Sequence, residues 1–372
     1  MRDRLAPHHL AREVGDRDAE VFGGDLDGGH AGAVGDQSQR AAAGAGAEGV
    51  VLADQAAVGE VGDEGGDRAV GEAGGGAVWA PMNTPAAKGV FRAGISESGA
   101  VTQPNDRATA PAVSQLFTKR NGLPATAAAL RDVSKMRLRD MEDKLRAPGP
   151  DGSAASLLGL APFADGTLIP ATSGEVLKSG ADQGIPLLIG FTAHEFAAAS
   201  LSGEQPEVTD ATLPAALGAL GFAPAATAAF RAAYPGLTAN QLAGQAQSDA
   251  VIRMPSFRVA EMRAGRDQPT WLYEFTWASN ATEFRGRSFH CLDVPFAFDL
   301  LKATGVTAVA GDNPPQPLAD AVHRAWVAFV SNTDPGPTWP RYTLDRRETM
   351  IWSDVPHVQS DPFAAQRPIW LQ

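Results

Sequence analysis

Two stretches of the chain hold side chains able to move protons. In "LLIGFTAHEFAAAS", residues 187–200, an apolar run reaches Gly190 and is followed by His194 and Glu195. A carboxylate just past the carboxyl end of a parallel strand stands where α/β enzymes place their sites. The plainer alternative is a solvent-exposed loop acid. A metal site of the zinc-protease type is excluded, because no second histidine follows His194 at the fourth position. In "RGRSFHCLDVPFAFDLL", residues 285–301, His290 stands between a polar segment and the apolar run Val294–Phe298. A lone histidine is more often structural than catalytic. Here Asp293-Val294-Pro295-Phe296 starts a helix or tight turn, which would hold a loop histidine at a fixed angle.

The elements that must position these residues are legible from residue 81 onward. Pro186–Gly190 is a short apolar run closed by glycine, which predicts a buried strand. Thr270–Trp277 is rich in aromatic and β-favouring residues and predicts another. Ala112–Asn121 and Ala125–Met141 have helical spacing, separated by the Gly122-Leu123-Pro124 turn. Leu318–Val330 predicts a helix ended by the breakers Asn332–Pro337. Strands alternating with helices predict an α/β fold with a mostly parallel sheet. No internal repeat is present.

Composition divides the chain near residue 80. Residues 1–80 hold 18 of the 40 glycines, 17 alanines and 15 acids, but no lysine or isoleucine. Their only compact apolar run is Val50-Val51-Leu52. So few large side chains cannot bury enough surface to offset ordering entropy, so this segment is expected to be disordered or loosely packed. Gly, Ala, Val, Asp and Glu fill 59 of these 80 positions, and all five have codons beginning with G. That skew also fits a mis-framed translation of GC-rich DNA.

The whole chain carries a formal net charge of −12 with 44% hydrophobic residues. An acidic balance argues against a nucleic-acid partner, since phosphate binding needs clustered Lys and Arg. No apolar run reaches 18 residues, and no secretory leader is seen, so neither a membrane span nor export is expected. The single cysteine, Cys291, fits a reducing, cytoplasmic compartment.

"MNTPAAKGVFRAGISESGA", "DGTLIP", "IPLLIGFTAHEF", "FHCLDVPFAFDLL" and "LADAVHRAWVAFVSNTDPGPTWPRY" occur in this order between residues 82 and 342. Together they resemble the type-B carboxylesterases, the family of para-nitrobenzyl esterases and cholinesterases, over about residues 81–372. The resemblance implies an α/β-hydrolase fold and a Ser–Glu–His triad acting on small carboxylic esters without a cofactor or metal. Glu195 matches the family's acid and His290 its base. His290 would take the proton of a serine hydroxyl as it attacks the ester carbonyl, and Glu195 would fix the imidazole tautomer.

The nucleophile does not follow. A serine on the strained strand-to-helix elbow needs G-x-S-x-G. Ser96 has Gly94 two before it but Ser98 two after; Ser98 has Ser96 before and Ala100 after. In the family this stretch is the strand after the elbow's helix, which makes both serines structural. Where the family reads G-E-S-A-G-G, this chain reads Gly71-Glu72-Ala73-Gly74-Gly75-Gly76, without the serine. The resemblance then implies Ala73 as the oxyanion donor. The H-G-G-G-type oxyanion loop has no match either, since Gly28-Gly29-His30 runs in the wrong order. The expectation is a truncated α/β-hydrolase fold whose N-terminal strands and elbow are not recognisable, and which is inactive as written. Two alternatives stand beside it: a non-catalytic binding protein of the same fold, and a defective frameshifted product.

Overall fold

The computed structural model describes residues 49–53, 76, 78–99, 107–108, 110–124, 126–146, 162–182, 184–196, 207–223 and 225–371. Ala73 and the rest of Gly71–Gly75 lie outside the described residues, as do nearly all of residues 1–75.

Among the described residues, six strands form one sheet in sequential order: β1 Gly49–Ala53, β2 Phe91–Glu97, β3 Leu187–Thr192, β4 Thr270–Phe275, β5 Glu348–Trp352 and β6 His357–Ser360. The first five run parallel; β6 turns back antiparallel on β5. Parallel neighbours need long crossovers, and helices supply them, so both faces of the sheet are covered. That is why β3 and β4 are buried at every position. Alternate side chains divide between two cores. Leu187, Ile189 and Phe191 of β3 join one, with the helices of residues 226–264. Trp271, Tyr273 and Phe275 of β4 join the other, against the helix Gln316–Asn332.

Two departures from the sequence reading stand out. Val50-Val51-Leu52, in the segment expected to be loose, lies within a strand paired in parallel with β2. Val78 and Trp79, also before residue 81, are fully buried in the core. Farther on, the single helix expected over Ala125–Met141 is two, Ala127–Leu130 and Lys135–Arg146. The other elements fall where their patterns place them, as Ala110–Asn121, Leu187–Thr192, Thr270–Phe275 and Gln316–Asn332.

One long helical rod matters for the site. Ala239–Ser248 starts with a capping box in which Thr238 and Gln241 satisfy each other's backbone N–H groups. It passes into a π-helical turn, Asp249–Arg253, and continues as Met254–Ala264. Pro255 lacks an N–H to give the carbonyl four residues back, and the widened turn falls directly before it.

Candidate active site

The carboxyl ends of β2, β3 and β4 converge on Glu195. Just past β3 the chain makes a tight reciprocal turn. The Thr192 N–H donates to Glu195 Oε1 at 2.7 Å, and the Glu195 N–H donates to Thr192 Oγ1 at 3.2 Å. The carboxylate is thereby folded back over the strand end, and Glu195 is only 1% exposed. The loop acid is therefore a buried one.

A second loop, after β4, zips onto this turn. The His194 N–H donates to the Ser288 carbonyl at 2.9 Å, and the Ser288 N–H donates to His194 Nδ1 at 3.0 Å. The His290 N–H donates to the Glu195 carbonyl at 3.0 Å. Ser288 Oγ ties the loop to the end of β4 through the Phe275 carbonyl, at 2.6 Å. Burial, then the positive charges of Arg253 and Arg287, pulls the His194 pKa down to about 4, so this ring is neutral and accepts the Ser288 N–H. His194 is thus a structural acceptor.

These backbone bonds bring the two side chains singled out in the sequence together. His290 Nδ1 lies 2.6 Å from Glu195 Oε2. With Nδ1 committed to the carboxylate, the neutral ring presents Nε2 as its basic nitrogen, and that atom is buried and makes no hydrogen bond. Burial disfavours the imidazolium, but polar contact with Cys291 and then with Glu195 outweighs it and raises the His290 pKa well above 6.5. Phe196 flanks the ring, with centroids 5.1 Å apart. Cys291, next in the chain, adopts a left-handed φ of 66°, which turns the backbone sharply after the histidine.

Ser98 has a role that its sequence context did not reveal. Its Oγ donates to Glu195 Oε1 at 2.7 Å, and the residue is buried at the end of β2 with φ of 47°. It contacts the acid, not the basic nitrogen of His290. Ser96 is fully buried inside β2. Neither serine is placed as a nucleophile. Asp293 is a second missed residue. It accepts from Tyr273 Oη at 2.8 Å, while its Oδ1 is buried without a partner. Burial, then the nearby Glu195 charge, raises its pKa to about 6.

A model of the carboxylesterase family matches residues 69–370. The chain belongs to the carboxylesterase family. It is 28% identical over 305 residues to the para-nitrobenzyl esterase of Bacillus subtilis, an alignment covering 79% of this chain and 60% of that one. It is 31% identical over 113 residues to the phenmedipham hydrolase of Pseudarthrobacter oxydans, 28% of this chain and 23% of the relative. Among solved structures, a thermophilic para-nitrobenzyl esterase superposes with a TM-score of 0.65 at 26% identity, covering 80% of this chain and 61% of that one. A carboxylesterase of Geobacillus stearothermophilus gives 0.64 at 25% identity, over 80% and 62%. The fold is therefore that of the α/β-hydrolases. The chain spans about 60% of the length of the para-nitrobenzyl esterase it matches. Among the described residues, no helix is long and apolar enough to cross a membrane.

Proposed function

We propose that Glu195 and His290 are the acid and base of a carboxylic ester hydrolase of the Ser–Glu–His type, and that this chain as written does not turn over. The observation that carries the first half is the 2.6 Å contact between Glu195 Oε2 and His290 Nδ1, with Nε2 left as the base. In such a site the base takes the proton of a hydroxyl as it attacks an ester carbonyl, and the carboxylate stabilises the imidazolium that results. The second half rests on the nucleophile. No serine occupies the position between Glu72 and Ala73, and Ser98 is committed to the acid. Ala73 remains the proposed oxyanion donor of that spelling. The substrate class is an uncharged carboxylic ester, and the single cysteine suits a reducing, cytoplasmic setting.

The missing serine also favours a second reading, a non-catalytic member of the fold that binds ligands or partners. Hydrolysis of a short-chain nitrophenyl ester by the purified chain and by His290→Ala tests the absence of turnover that both readings share. Equal rates support the inactive reading. A wild-type rate that His290→Ala abolishes overturns it and restores an active hydrolase. A nucleotide sequence whose alternative frame spells G-E-S-A-G before Met82 would identify the parent gene as an ordinary esterase and residues 1–80 as mis-framed.

A further inference from the structure

The helical rod described above reaches the acid turn through two side chains that the triad does not include. Ser248, fully buried, accepts from the Phe196 N–H at 3.0 Å. Its hydroxyl lies 3.0 Å from the His194 carbonyl and 3.0 Å from the Gly244 carbonyl, the acceptors for its proton. The His194 carbonyl belongs to the peptide before the Glu195 Cα, and the Phe196 N–H to the peptide after it. One hydroxyl therefore holds both peptide planes that flank the acid. One turn earlier on the rod, Gln245 Nε2 donates to the Ala193 carbonyl at 3.2 Å.

The rod is itself fixed at this point. Asp249 Oδ1 accepts from Gln245 Nε2 at 3.3 Å and from Arg253 Nη1 at 2.8 Å. Its Oδ2 accepts from Tyr234 Oη at 2.6 Å and from Trp370 Nε1 at 3.1 Å. Arg253 Nη2 reaches Glu274 Oε1 of β4 at 2.6 Å. The Arg253 guanidinium lies 5.3 Å from the Phe191 ring centroid and 5.2 Å from that of Trp370. Such a buried pair keeps its value only when its geometry is held, and here both terminal nitrogens of Arg253 are bonded while Nε has no partner. A continuous chain of polar contacts thus links Trp370, near the end of the chain, to the backbone around Glu195.

We infer that Ser248 and Gln245 are positioning residues for the Glu195–His290 pair, acting from the last α-helical turn before the π-helical one, through the backbone of residues 193–196. The inference rests on the reading of that pair as acid and base. A carboxylate–imidazole contact needs its partners held to about 0.5 Å, and fixing both peptides around one Cα is a direct way to do so. Cys291, Glu195 and Asp293 face the imidazole, and of these Ser248 and Gln245 act on Glu195 through its flanking backbone, so a change that they cause in its proton affinity reports on how Glu195 is placed.

The test is the titration of His290 in the full chain, followed by NMR of 15N-labelled histidine and assigned with His290→Ala. Ser248→Ala is expected to lower the His290 midpoint by half a unit or more, about threefold in proton affinity. Ser248→Thr, which keeps a hydroxyl, is expected to stay nearer the wild type. Gln245→Met, similar in size but without the donor, is expected to shift the midpoint in the same direction as Ser248→Ala, and it decides alone if Ser248→Ala fails to fold. Folded variants with an unmoved midpoint overturn the inference. Glu195→Gln separates the two levels. If it leaves the midpoint unchanged, the acid–base pair itself is refuted. If it lowers the midpoint while Ser248→Ala and Gln245→Met do not, only the positioning role falls.

Discussion

Ser98 Oγ donates to the same oxygen of Glu195, Oε1, that the Thr192 N–H holds, leaving Oε2 to His290. The serine at the end of β2 thus orients the Glu195 carboxylate. Ser98→Ala is expected to cost about 1.5–3 kcal/mol in urea unfolding, the range for a buried hydrogen bond to a charged group. A serine-directed fluorophosphonate is expected to label neither Ser96 nor Ser98, read by peptide mass spectrometry. Stoichiometric labelling of Ser98 would make it the nucleophile and reverse its assignment.

Asp293 gives the site a pH signature. Its folded pKa of about 6 lies above the ordinary 3.8, so the folded chain binds the extra proton between these values. The contribution of Asp293 to stability is therefore most favourable below about pH 4 and declines as pH rises towards 6. Asp293→Asn still accepts from Tyr273 Oη and cannot ionise. It is expected to remove a stability loss of about 2–3 kcal/mol over that window, measured as unfolding free energy from pH 4 to 7. Identical pH profiles for the two proteins would show that Asp293 titrates normally.

Gly190 is opposite Tyr273 in the β3–β4 register, and a Cβ there would fall 2.1 Å from the Tyr273 ring. That ring cannot yield freely, because its hydroxyl is bonded to Asp293 and it meets Trp326 in a T-shaped contact at 5.2 Å between centroids. Gly190→Ala is expected to destabilise the chain by about 1–3 kcal/mol through overpacking. Gly174→Ala, where an added Cβ meets nothing within 4 Å, is the control and is expected to stay near wild type.

Restoring the family spelling is not expected to restore catalysis. Inserting one serine between Glu72 and Ala73 supplies a hydroxyl, but a nucleophile must be held within about 2.6–3.2 Å of its base. The strand before it would come from Gly62–Val70, with three glycines and two apolar residues. A central, doubly buried strand wants a near-continuous Val/Ile/Leu run. Nitrophenyl ester turnover that appears on insertion and vanishes with either Glu195→Gln or His290→Ala would make residues 1–80 a working half of the enzyme.

The sequence singled out Glu195 and His290 because each sits in a pattern with a local cause, while their reading as acid and base came from the family resemblance. Glu195 follows an apolar run that must be a buried strand, and His290 precedes an apolar run opened by Asp293 and Pro295. The helix Gln316–Asn332 and strands β3 and β4 were legible for the same reason, since burial of one face or two leaves a period in the chain. Ser98, Ser248 and Gln245 leave no such trace. Each acts through a contact 50 or more residues away in the chain: Ser98 with Glu195, Ser248 with Phe196, Gln245 with Ala193. Strand β1 was missed from the opposite cause. Five residues of ordinary apolar character stand in a segment whose overall composition argues against packing, and pairing with β2 is settled by the neighbour.

The π-helical turn makes the rod a device of two phases. Each residue of an α-helix advances the side chains by about 100°. Ahead of the turn, Gln245 and Ser248 are aimed at the acid; beyond it, Phe257 and Ala260 enter the core and Arg263 pairs with the buried Asp182. Loss of a single residue between Asp249 and Arg253 would rotate one end against the other. Either the grip on the acid or the anchorage of Arg263 would then point the wrong way. Length within those five residues is thus constrained more tightly than side-chain identity along most of the rod, as the bore of a key is fixed while its bow is free.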